Sequence, residues 1–285
     1  MYKIVTKKEL NPTVTLMEVE APFVARKAKA GQFIIFRLDE IGERIPLTIA
    51  GYDRERGTVT IIFQKVGLST IALGKKNEGD YISDFVGPLG CASEIEGVKR
   101  ACVVGGGVGC AIAYPTAKAL FDQGSEVDVI VGFRSKDIVI LEDEFKAAST
   151  HFYMMTDDGT HGEKGFVTAK LQALLEAGRQ YDVIYAIGPV PMMKFVCKTT
   201  EPFGVKTLVS LNPIMIDGTG MCGGCRVTVD GKVKFACVDG PEFDGSKVDF
   251  DELMNRNSIY REREAEEVKT HMCRFDQLAD KVMNK

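Results

Sequence analysis

The sequence predicts a β-barrel followed by a doubly wound parallel α/β sheet and a small metal-binding unit. Residues 1–98 contain short runs rich in β-branched and aromatic residues, separated by Gly, Pro, Asp and Asn at the spacing of antiparallel strands. Residues 99–210 alternate strand-like and helical segments, which is the pattern of a parallel sheet. Three clustered cysteines fall within residues 211–245, and a charged helical tail is expected at 246–285. We therefore expect two large domains, a small third unit and a tail.

Six segments are predicted as strands of the barrel. In chain order they are "YKIVTKKEL", "VTLMEVEAP", "GQFIIFRL", "RIPLTIAGYD", "TVTIIFQKV" and "DYISDFVGP". Each has the length and composition of a strand, and turn-forming residues separate each one from the next. Short antiparallel strands in this number favour a small barrel.

Three strands and three helices are predicted in the second domain. The strands are "ACVVG", "EVDVIVGF" and "YDVIYAIG", and the helices are "CAIAYPTAKALFDQG", "VTAKLQALLEAG" and "PMMKFVCKTT". Gly178 closes the second helix, and proline occupies the first turn of the third. Sheets of this kind bind ligands at the carboxyl ends of their strands.

Charge and hydropathy exclude several classes of function. The 285 residues carry a net charge of -4, with 36 basic and 40 acidic residues interleaved along the chain. This distribution gives no footprint for nucleic acid or for an anionic membrane surface. The first segment, "MYKIVTKKEL", has no apolar core of a secretory signal, and no apolar run is long enough to cross a bilayer. We expect a soluble, cytoplasmic protein.

Cysteine and histidine usage separates a metal site from ordinary packing. In a reducing compartment the 8 cysteines do not predict disulfides, so clustered cysteines indicate metal and scattered ones indicate small buried side chains. The scattered cysteines are Cys91, Cys102, Cys110, Cys197 and Cys273. The three histidines, His151, His161 and His271, form no catalytic pattern and are interpreted as loop or surface residues.

Two glycine turns are candidates for nucleotide binding. "VVGGGVGCA" follows a strand and opens a helix, so the amides of Gly106, Gly107, Val108 and Gly109 can approach a pyrophosphate. The turn departs from G-x-G-x-x-G because Cys110 takes the third glycine position, and a tight turn without a ligand is the alternative. A second turn, "AIGPVPMM", ends a later strand, and its candidates are Gly188, Pro189 and Met192. Both turns should line one crevice.

The barrel carries two further candidate segments. In "RIPLTIAG", Arg44 lies four residues before Thr48, so a regular strand would offer a cation and a hydroxyl to one ligand. In "FQKVGLST", Gly67, Ser69 and Thr70 supply amide and hydroxyl donors suited to phosphate oxygens. A surface arginine and an ordinary Ser/Thr turn would explain these segments equally well.

The order of these motifs resembles a known family. The R-x-P-x-[ST] strand, the G-x-[ST]-T turn, "GPLG" at Gly87 to Gly90, GGGVG, the Gly-Pro-x-x-Met turn and the terminal cysteines look like ferredoxin reductase-like flavoproteins. Within that superfamily the chain is similar to the electron-transfer subunit of dihydroorotate dehydrogenase. It is also similar to the small subunit of NADH-dependent ferredoxin:NADP oxidoreductase, or sulfide dehydrogenase. The resemblance covers residues 1–245 and continues through "FACVDGPEFDG" and "LMNR".

The resemblance implies three cofactors: FAD in the barrel, NAD(H) on the sheet and a 2Fe-2S cluster beyond. Carried over to this sequence, the residues implied to line the flavin are Ile45, Pro46, Leu47 and Thr48. Those implied to hold the rest of FAD, including its diphosphate, are Ile62, Phe63, Gln64, Ser69 and Thr70. Many superfamily members have an aromatic residue where Leu47 stands.

The cluster motif is incomplete in cysteine. The related subunit has C-x4-C-x2-C followed by a distant Cys, and here the spacing is Asp217-x4-Cys222-x2-Cys225-x11-Cys237. Aspartate can supply an anionic oxygen as the fourth ligand of a 2Fe-2S cluster. The alternative is that Asp217 is only a turn residue and that solvent or zinc completes the site. We favour a cluster with Asp217 as a ligand.

The choice of nucleotide and the path of the electrons follow from the same resemblance. Arg134 ends the second strand of the sheet and could accept a 2'-phosphate, but the family implies NAD(H); Asp158 is predicted to belong to the same site. The implied partner is a larger flavoprotein with its own FAD, 4Fe-4S clusters and an NADPH site, and the complex is implied to exchange electrons among NADH, NADPH and ferredoxin, with or without bifurcation.

Three alternatives to this assignment stay open. They are a dihydroorotate dehydrogenase subunit, a stand-alone flavin or ferredoxin reductase, and a zinc-stabilised binding module. The tail is expected either to pack on the partner or to form a solvated helix, and its apolar residues are Leu253, Met254, Ile259 and Tyr260.

Overall fold

An antiparallel barrel forms the first part of the computed structural model, which describes residues 1–40, 42–267 and 269–270. Its strands are β1 (Tyr2–Asn11), β2 (Val14–Glu20), β3 (Phe33–Arg37), β4 (Ile45–Asp53), β5 (Thr58–Gln64), β6 (Tyr81–Ile82) and β7 (Asp84–Leu89), with helices α1 (Pro22–Lys27) and α2 (Leu68–Lys75) between them. The strand order is β6-β1-β2-β5-β4-β3-β7. Only Ser83 separates the two outermost strands in the sequence, so the sheet curls until its edges nearly meet.

Strand β3 connects the barrel to the rest of the molecule. Ile34 and Phe36 point into the barrel core, whereas Phe33 and Ile35 belong to a second core with the sheet and the cysteine unit. Side chains alternate between the two faces of a strand, so the apolar run "FIIFR" is buried on both sides. The flavoprotein barrel predicted from the sequence is therefore not an isolated body.

A seven-stranded sheet follows the barrel. Its strands are β8 (Arg100–Gly106), β9 (Glu126–Phe133), β10 (His151–Thr156), β11 (Glu163–Lys164), β12 (Val183–Ile187), β13 (Thr207–Ser210) and β16 (Glu242–Asp244), and its helices are α3 (Gly109–Asp122), α4 (Glu142–Ala147), α5 (Val167–Glu176) and α6 (Val190–Thr200). The order is β11-β10-β9-β8-β12-β13-β16, and all pairs are parallel except β13 with β16. The order reverses between β8 and β12, where a ligand crevice is expected.

The cysteine unit and the start of the tail form one body. The hairpin of β14 (Arg226–Val229) and β15 (Lys232–Phe235) contacts helix α7 (Phe250–Ser258), and β16 joins this unit to the edge of the large sheet. Leu253 is only 1% exposed, in the same core as Cys225 and Cys237. The expectation that Leu253 faces a neighbouring protein was wrong, because its own chain already buries it.

The remaining tail and the scattered cysteines differ in their surroundings. Ile259 and Tyr260 are exposed after α7, and a helical stretch covers 261–267. Cys102 and Cys110 are buried as expected, and Cys197 packs against the core, but Cys91 is exposed, contrary to the packing interpretation. Cys273 and His271 lie outside the described residues. Within the part of the chain that the structure describes, no helix has the length and apolar character needed to span a membrane.

Candidate functional site

A cavity of about 300 Å³ opens between the barrel and the large sheet. Strands β4 and β5 supply one wall, the start of α3 supplies a second, and the segment after β13 supplies a third. The lining residues from predicted motifs are Pro46, Leu47, Thr48, Ile62, Phe63, Gln64, Thr70 and Val108. Residues that are far apart in the sequence thus converge on one apolar cavity of the size of a small-molecule site.

Several lining residues were not among the predicted site residues. They are Phe33, Val66, Ile112, Ser210, Leu211, Asn212, Pro213, Met215 and Pro241. The sequence gives no signal for most of them, because they lie in an irregular segment after a strand that was itself not predicted. Leu47 lines the cavity, so its contribution to this wall is aliphatic. Ile45, although predicted, packs against the barrel core instead.

The Gly67–Thr70 turn is stabilised by its own hydroxyl groups. The amides of Val66 and Gly67 each donate to Thr70 Oγ1 at 3.1 Å, and that hydroxyl donates to the carbonyl of Gly67 at 3.0 Å. Ser69 Oγ donates to Glu43 Oε2 at 3.1 Å. Thr70 therefore shapes the start of helix α2, whose first-turn amides have no partners within the helix.

Arg44 points away from the cavity. Its Nε donates to the carbonyl of Ile216 at 3.0 Å, and its Nη2 donates to the carbonyl of Asp217 at 3.3 Å. The sequence places Arg44 beside Thr48 on a common ligand, whereas the structure places only Thr48 at the cavity. The difference arises because Arg44 precedes β4 and lies against the loop that contains Asp217.

The two glycine turns touch each other. Gly105 at the end of β8 pairs with Ile187 at the end of β12. A Cβ on Gly109 would lie 2.6 Å from the Cα of Gly188 and 2.7 Å from the carbonyl oxygen of Ile187. A Cβ on Gly106 would collide with the sulfur of Met192. Glycine is thus required by close approach, and both predicted turns lie at one carboxyl edge of the sheet.

Cys110 occupies the position of the third glycine as a packing residue. It is fully buried, and a Cβ on Gly105 would lie 2.9 Å from its sulfur. Burial raises the pKa of this thiol far above its usual value, so the side chain is neutral and unreactive. The departure from the standard fingerprint is therefore accommodated by the absence of a side chain on Gly105.

Arg134 and Asp158 are neighbours at the carboxyl ends of β9 and β10. The amide of Asp158 donates to the carbonyl of Arg134 at 3.3 Å. Asp158 Oδ1 accepts from the hydroxyl of Thr160 at 2.7 Å and from its amide at 2.9 Å. These hydrogen bonds, the hydroxyl bond first, lower the pKa of Asp158. The carboxylate therefore orders its loop, and the exposed Arg134 is available to solvent or to a nucleotide.

The four candidate metal ligands form two adjacent pairs. Cys225 and Cys237 are buried, and the amide of Cys237 donates to the sulfur of Cys225 at 3.4 Å. Asp217 and the exposed Cys222 form the other pair, because Asp217 Oδ2 accepts from the amide of Cys222 at 2.7 Å. Burial, followed by the neighbouring Cys225, raises the pKa of Cys237 to about 12.

Asp217 acts as a turn residue in this loop. Its second oxygen, Oδ1, accepts from the amide of Thr219 at 2.6 Å. The hydrogen bonds from Thr219 and Cys222 lower the pKa of the carboxyl group, so the side chain is an anion. Each carboxylate oxygen can accept more than one partner, so the turn leaves lone pairs for a metal. The turn geometry is shown, and ligation by Asp217 remains a prediction.

The donor set fits an iron–sulfur cluster better than a single ion. Three thiols and one carboxylate suit iron, and two adjacent pairs of ligands suit two metal atoms. Among the described residues, one set of three His, Cys, Asp or Glu donors lies within 4.8 Å of one another, and it is Glu126, Asp128 and His151. That set contains no cysteine and is paired with Arg179 at 2.9 Å through Glu126. It is an ion-pair cluster.

His151 and His161 each lie within hydrogen-bond distance of a carboxylate, a contact that the sequence did not indicate. Nδ1 of His151 lies 2.7 Å from Oδ1 of the buried Asp128. Nε2 of His161 lies 2.7 Å from Oε2 of Glu142. Both pairs join neighbouring parts of the sheet domain, and neither contacts the cavity.

Comparison with known proteins identifies two cofactor-binding parts of the chain. Residues 103–198 match the oxidoreductase NAD-binding domain, and residues 212–249 match the iron-sulfur cluster binding domain of dihydroorotate dehydrogenase B. A chain of the NADH-dependent reduced ferredoxin-NADP oxidoreductase structure superposes with a TM-score of 0.90 at 46% identity, over 95% of this chain and 98% of that one. The ferredoxin reductase-like fold predicted from the sequence is confirmed, as are the oxidoreductase class and the two cofactor-binding domains.

Two curated relatives match this chain over nearly the whole length of the relatives. The electron transfer subunit of dihydroorotate dehydrogenase B (NAD(+)) from Geobacillus thermodenitrificans is 33% identical over 86% of this chain and 96% of its own. Its homolog from Thermotoga maritima is 49% identical over 93% of both chains. Identity at this level and extent goes well beyond a shared fold, and the chain belongs to the family of dihydroorotate dehydrogenase B electron transfer subunits.

Proposed function

We propose that this electron transfer subunit carries electrons between NAD(H), FAD and a 2Fe-2S cluster and delivers them to a larger flavoprotein. One observation carries the proposal. The segment from Ser210 to Met215 lines the cavity and then runs directly into Asp217, the first predicted cluster ligand. When bound, the flavin exchanges a hydride with the nicotinamide and the cluster carries one electron at a time. A cavity wall and a cluster loop made by one short segment keep the two cofactors close.

The residues divide into three binding roles. Residues 1–98 hold FAD, with Pro46, Leu47 and Thr48 at the flavin and with Gly67, Ser69 and Thr70 at its diphosphate. Residues 99–210 hold the nucleotide on the two contacting glycine turns. Residues 211–245 hold the cluster through three cysteines and Asp217. The chain itself orients the ligands and excludes water, and the reaction requires no acid–base dyad from it.

An absorption and electron paramagnetic resonance (EPR) study of purified protein tests the core of the proposal. Flavin and 2Fe-2S bands in a roughly equal ratio are expected, with about two irons per chain. Zinc without iron would instead support the binding module. Flavin with no iron would support a stand-alone flavin reductase.

NADH is proposed as the nucleotide substrate. Asp158 lies in the loop whose backbone is hydrogen-bonded to that of Arg134, and a negative charge in this region disfavours a 2'-phosphate even though Arg134 is available to bind one. Stopped-flow reduction of the bound flavin should be faster with NADH than with NADPH. Faster reduction by NADPH would show that the choice of nucleotide is wrong. In that case Arg134 is the proposed contact of the 2'-phosphate, and Arg134→Ala should make NADH the faster reductant.

The partner is proposed to dock on the exposed face of the cluster loop. Ile216 and Met221 lie in the same loop as Cys222, Val238 lies against Gly220 of that loop, and the three side chains are 54%, 88% and 44% exposed. An apolar patch beside a redox centre excludes water when covered and brings the partner within electron-transfer distance. We propose the larger subunit to be a flavoprotein with its own FAD, 4Fe-4S clusters and an NADPH site, as in the ferredoxin:NADP enzyme; a dihydroorotate dehydrogenase is the second candidate.

Purification of the complex from the native host identifies the partner. Met221→Glu should reduce co-purification of the larger subunit at least tenfold, since a charge would be buried. Phe23→Glu is the matched control, because Phe23 is 80% exposed on α1 in the barrel. Equal loss in both variants would contradict a docking face at the cluster loop.

The tail requires a narrower test than removal of residues 250–285. That deletion would remove Leu253 from the core of the cluster unit and so confuse docking with folding. Deletion of 261–285 leaves α7 intact. Undiminished binding of the larger subunit by this shorter chain would show that the terminal segment has no docking role. We also propose a cytoplasmic location, with no nucleic-acid or membrane partner, from the balanced charge of the sequence.

A further inference from the structure

Arginines from three separate elements donate hydrogen bonds to backbone carbonyls of the cluster loop, which we define as residues 216–225. Arg44, before β4, donates to Ile216 at 3.0 Å and Asp217 at 3.3 Å. Arg226, at the start of β14, donates to Gly223 at 2.9 Å. Arg256, in α7, donates to Gly224 at 3.2 Å. Two of the three arginines therefore reach the loop from segments distant in the sequence, one from the barrel and one from the tail helix.

The cluster loop cannot hold its shape through regular secondary structure. Gly218, Gly220 and Gly223 have φ values of 79°, 85° and 66°, a conformation that favours glycine. Glycine also leaves the unfolded loop with high conformational entropy, so ordering it is costly. A Cβ on Gly218 would lie 2.6 Å from Cδ1 of Ile35, so the loop is seated directly on strand β3. Bonds from outside the loop must supply part of its order.

The same arginines place positive charge beside a strongly negative site. The expected donors, three thiolates and a carboxylate, each carry one negative charge, and reduction of a cluster adds another. A fixed guanidinium nearby stabilises the more negative state, and a charge-assisted hydrogen bond to a carbonyl holds it in place. Reduction potentials of clusters respond to charge and hydrogen bonding in this way.

We infer that Arg44 and Arg256 are positioning residues for the cluster: they fix the ligand loop to the barrel and to α7, and they raise the cluster's reduction potential. The inference rests on the proposed 2Fe-2S site. It gives Arg44 a role different from the phosphate or flavin contact that its position before β4 suggests. It also explains why α7 is folded onto the cluster unit, since Arg256 lies one turn after the buried Leu253.

Arg44→Met and Arg256→Met in the full-length chain test the inference, because methionine keeps an apolar stem and removes the donors and the charge. Arg54→Met is the matched control. Arg54 follows β4 at its other end and also donates to a backbone carbonyl, that of Ala28 at 3.2 Å. Iron and flavin content, the EPR spectrum of the reduced cluster and its midpoint potential are measured for each variant.

The expected result is a changed EPR spectrum and a more negative midpoint potential in both test variants, with Arg54→Met equal to the unmodified protein. Arg44→Lys keeps the charge and should restore most of the potential, a rescue that a purely structural role would not give. If Arg44→Met does not fold, Arg44→Lys and Arg256→Met decide.

Two results would overturn the inference. One is an unchanged EPR spectrum and potential in Arg44→Met and Arg256→Met. The other is loss of flavin alone from Arg44→Met, which would return Arg44 to the FAD site. Absence of iron from the unmodified protein would be a different failure, because it refutes the proposed function itself.

Discussion

The cavity between the barrel and the sheet and the cluster loop are the two proposed cofactor sites, and they are ordered by opposite means. The cavity wall is made of β4 and β5, whose backbones are fixed by ladder hydrogen bonds over several register pairs. The cluster loop is irregular, and side-chain bonds from Asp217, Arg44 and Arg256 hold it. A strand site is thus ordered by its neighbours in the sheet, whereas the loop site depends on single contacts. Single substitutions should therefore damage the loop more than the cavity.

Removal of a buried cysteine should give the largest effect in this comparison. Cys225→Ser replaces a buried thiol with a harder, shorter oxygen donor, and iron content should fall to background while flavin content is kept. Cys91→Ser is the control, since Cys91 is exposed and is not a predicted ligand. Its thiol donates a hydrogen bond to the carbonyl of Val238. Iron and flavin assays on both variants provide the measurement. Loss of iron from Cys91→Ser alone would reassign the ligand set.

A methyl group at the contact between the glycine turns should have the next largest effect. Gly109→Ala places a Cβ 2.6 Å from backbone, and such overpacking costs about 1–3 kcal/mol. We expect the rate of flavin reduction by low NADH concentrations to fall about tenfold. Gly51→Ala is the control, because a Cβ there would meet only Thr60, at ordinary contact distances of 3.4 and 3.5 Å. Full activity of Gly109→Ala would show that the turns can separate without loss of binding.

Glu242 lies on β16, next to Pro241 of the cavity wall, and should make the stability of the protein depend on pH. It accepts from Ser93 at 2.7 Å through Oε1, Oε2 has no hydrogen-bond partner, and burial followed by Glu94 raises its pKa to about 7. A carboxyl whose pKa is raised in the folded state stabilises the protein at low pH, and this stability is lost as pH rises from about 4.5 to above 7.

Glu242→Gln removes that dependence. The variant should unfold several degrees higher than the unmodified protein at pH 8, a gain of about 2 kcal/mol, and show little difference at pH 5. Thermal unfolding at the two pH values provides the measurement. Glu94→Gln is the control for the weaker charge effect. A constant difference between Glu242→Gln and the unmodified protein across this pH range would contradict the raised pKa.

Exchange of the predicted oxygen ligand for sulfur should give the smallest effect. The iron content should not change, and only the EPR spectrum and the reduction potential of the cluster should differ. Asp217→Cys is expected to keep its iron, with altered EPR g values and potential, because only the ligand atom differs. An unchanged EPR signal would show that Asp217 is a turn residue and not a ligand. Thr219→Ala is a useful control, since it removes a hydroxyl bonded to Asp217 at 3.3 Å and leaves the donor set intact.

The sequence by itself determined the order of elements and the motifs. Alternation in the barrel and strand–helix alternation in the sheet are local patterns, so their periods can be counted along the chain. The glycine turns and the cysteine spacing are local as well, and the family resemblance followed from their order. Strands β10 and β13 were not predicted. Their sequences, "HFYMMT" and "TLVS", are short runs in which periodicity does not distinguish a strand from a helix.

Only the tertiary structure decided which residues meet. Arg44 and Ile216 are 172 positions apart, and no local pattern records that their atoms lie 3.0 Å from each other. The cavity wall after β13 and the burial of Leu253 against the cluster unit are of the same kind. Side-chain contacts between distant segments depend on how whole elements pack against each other. The sequence around an arginine or a leucine therefore does not identify the residue that it contacts.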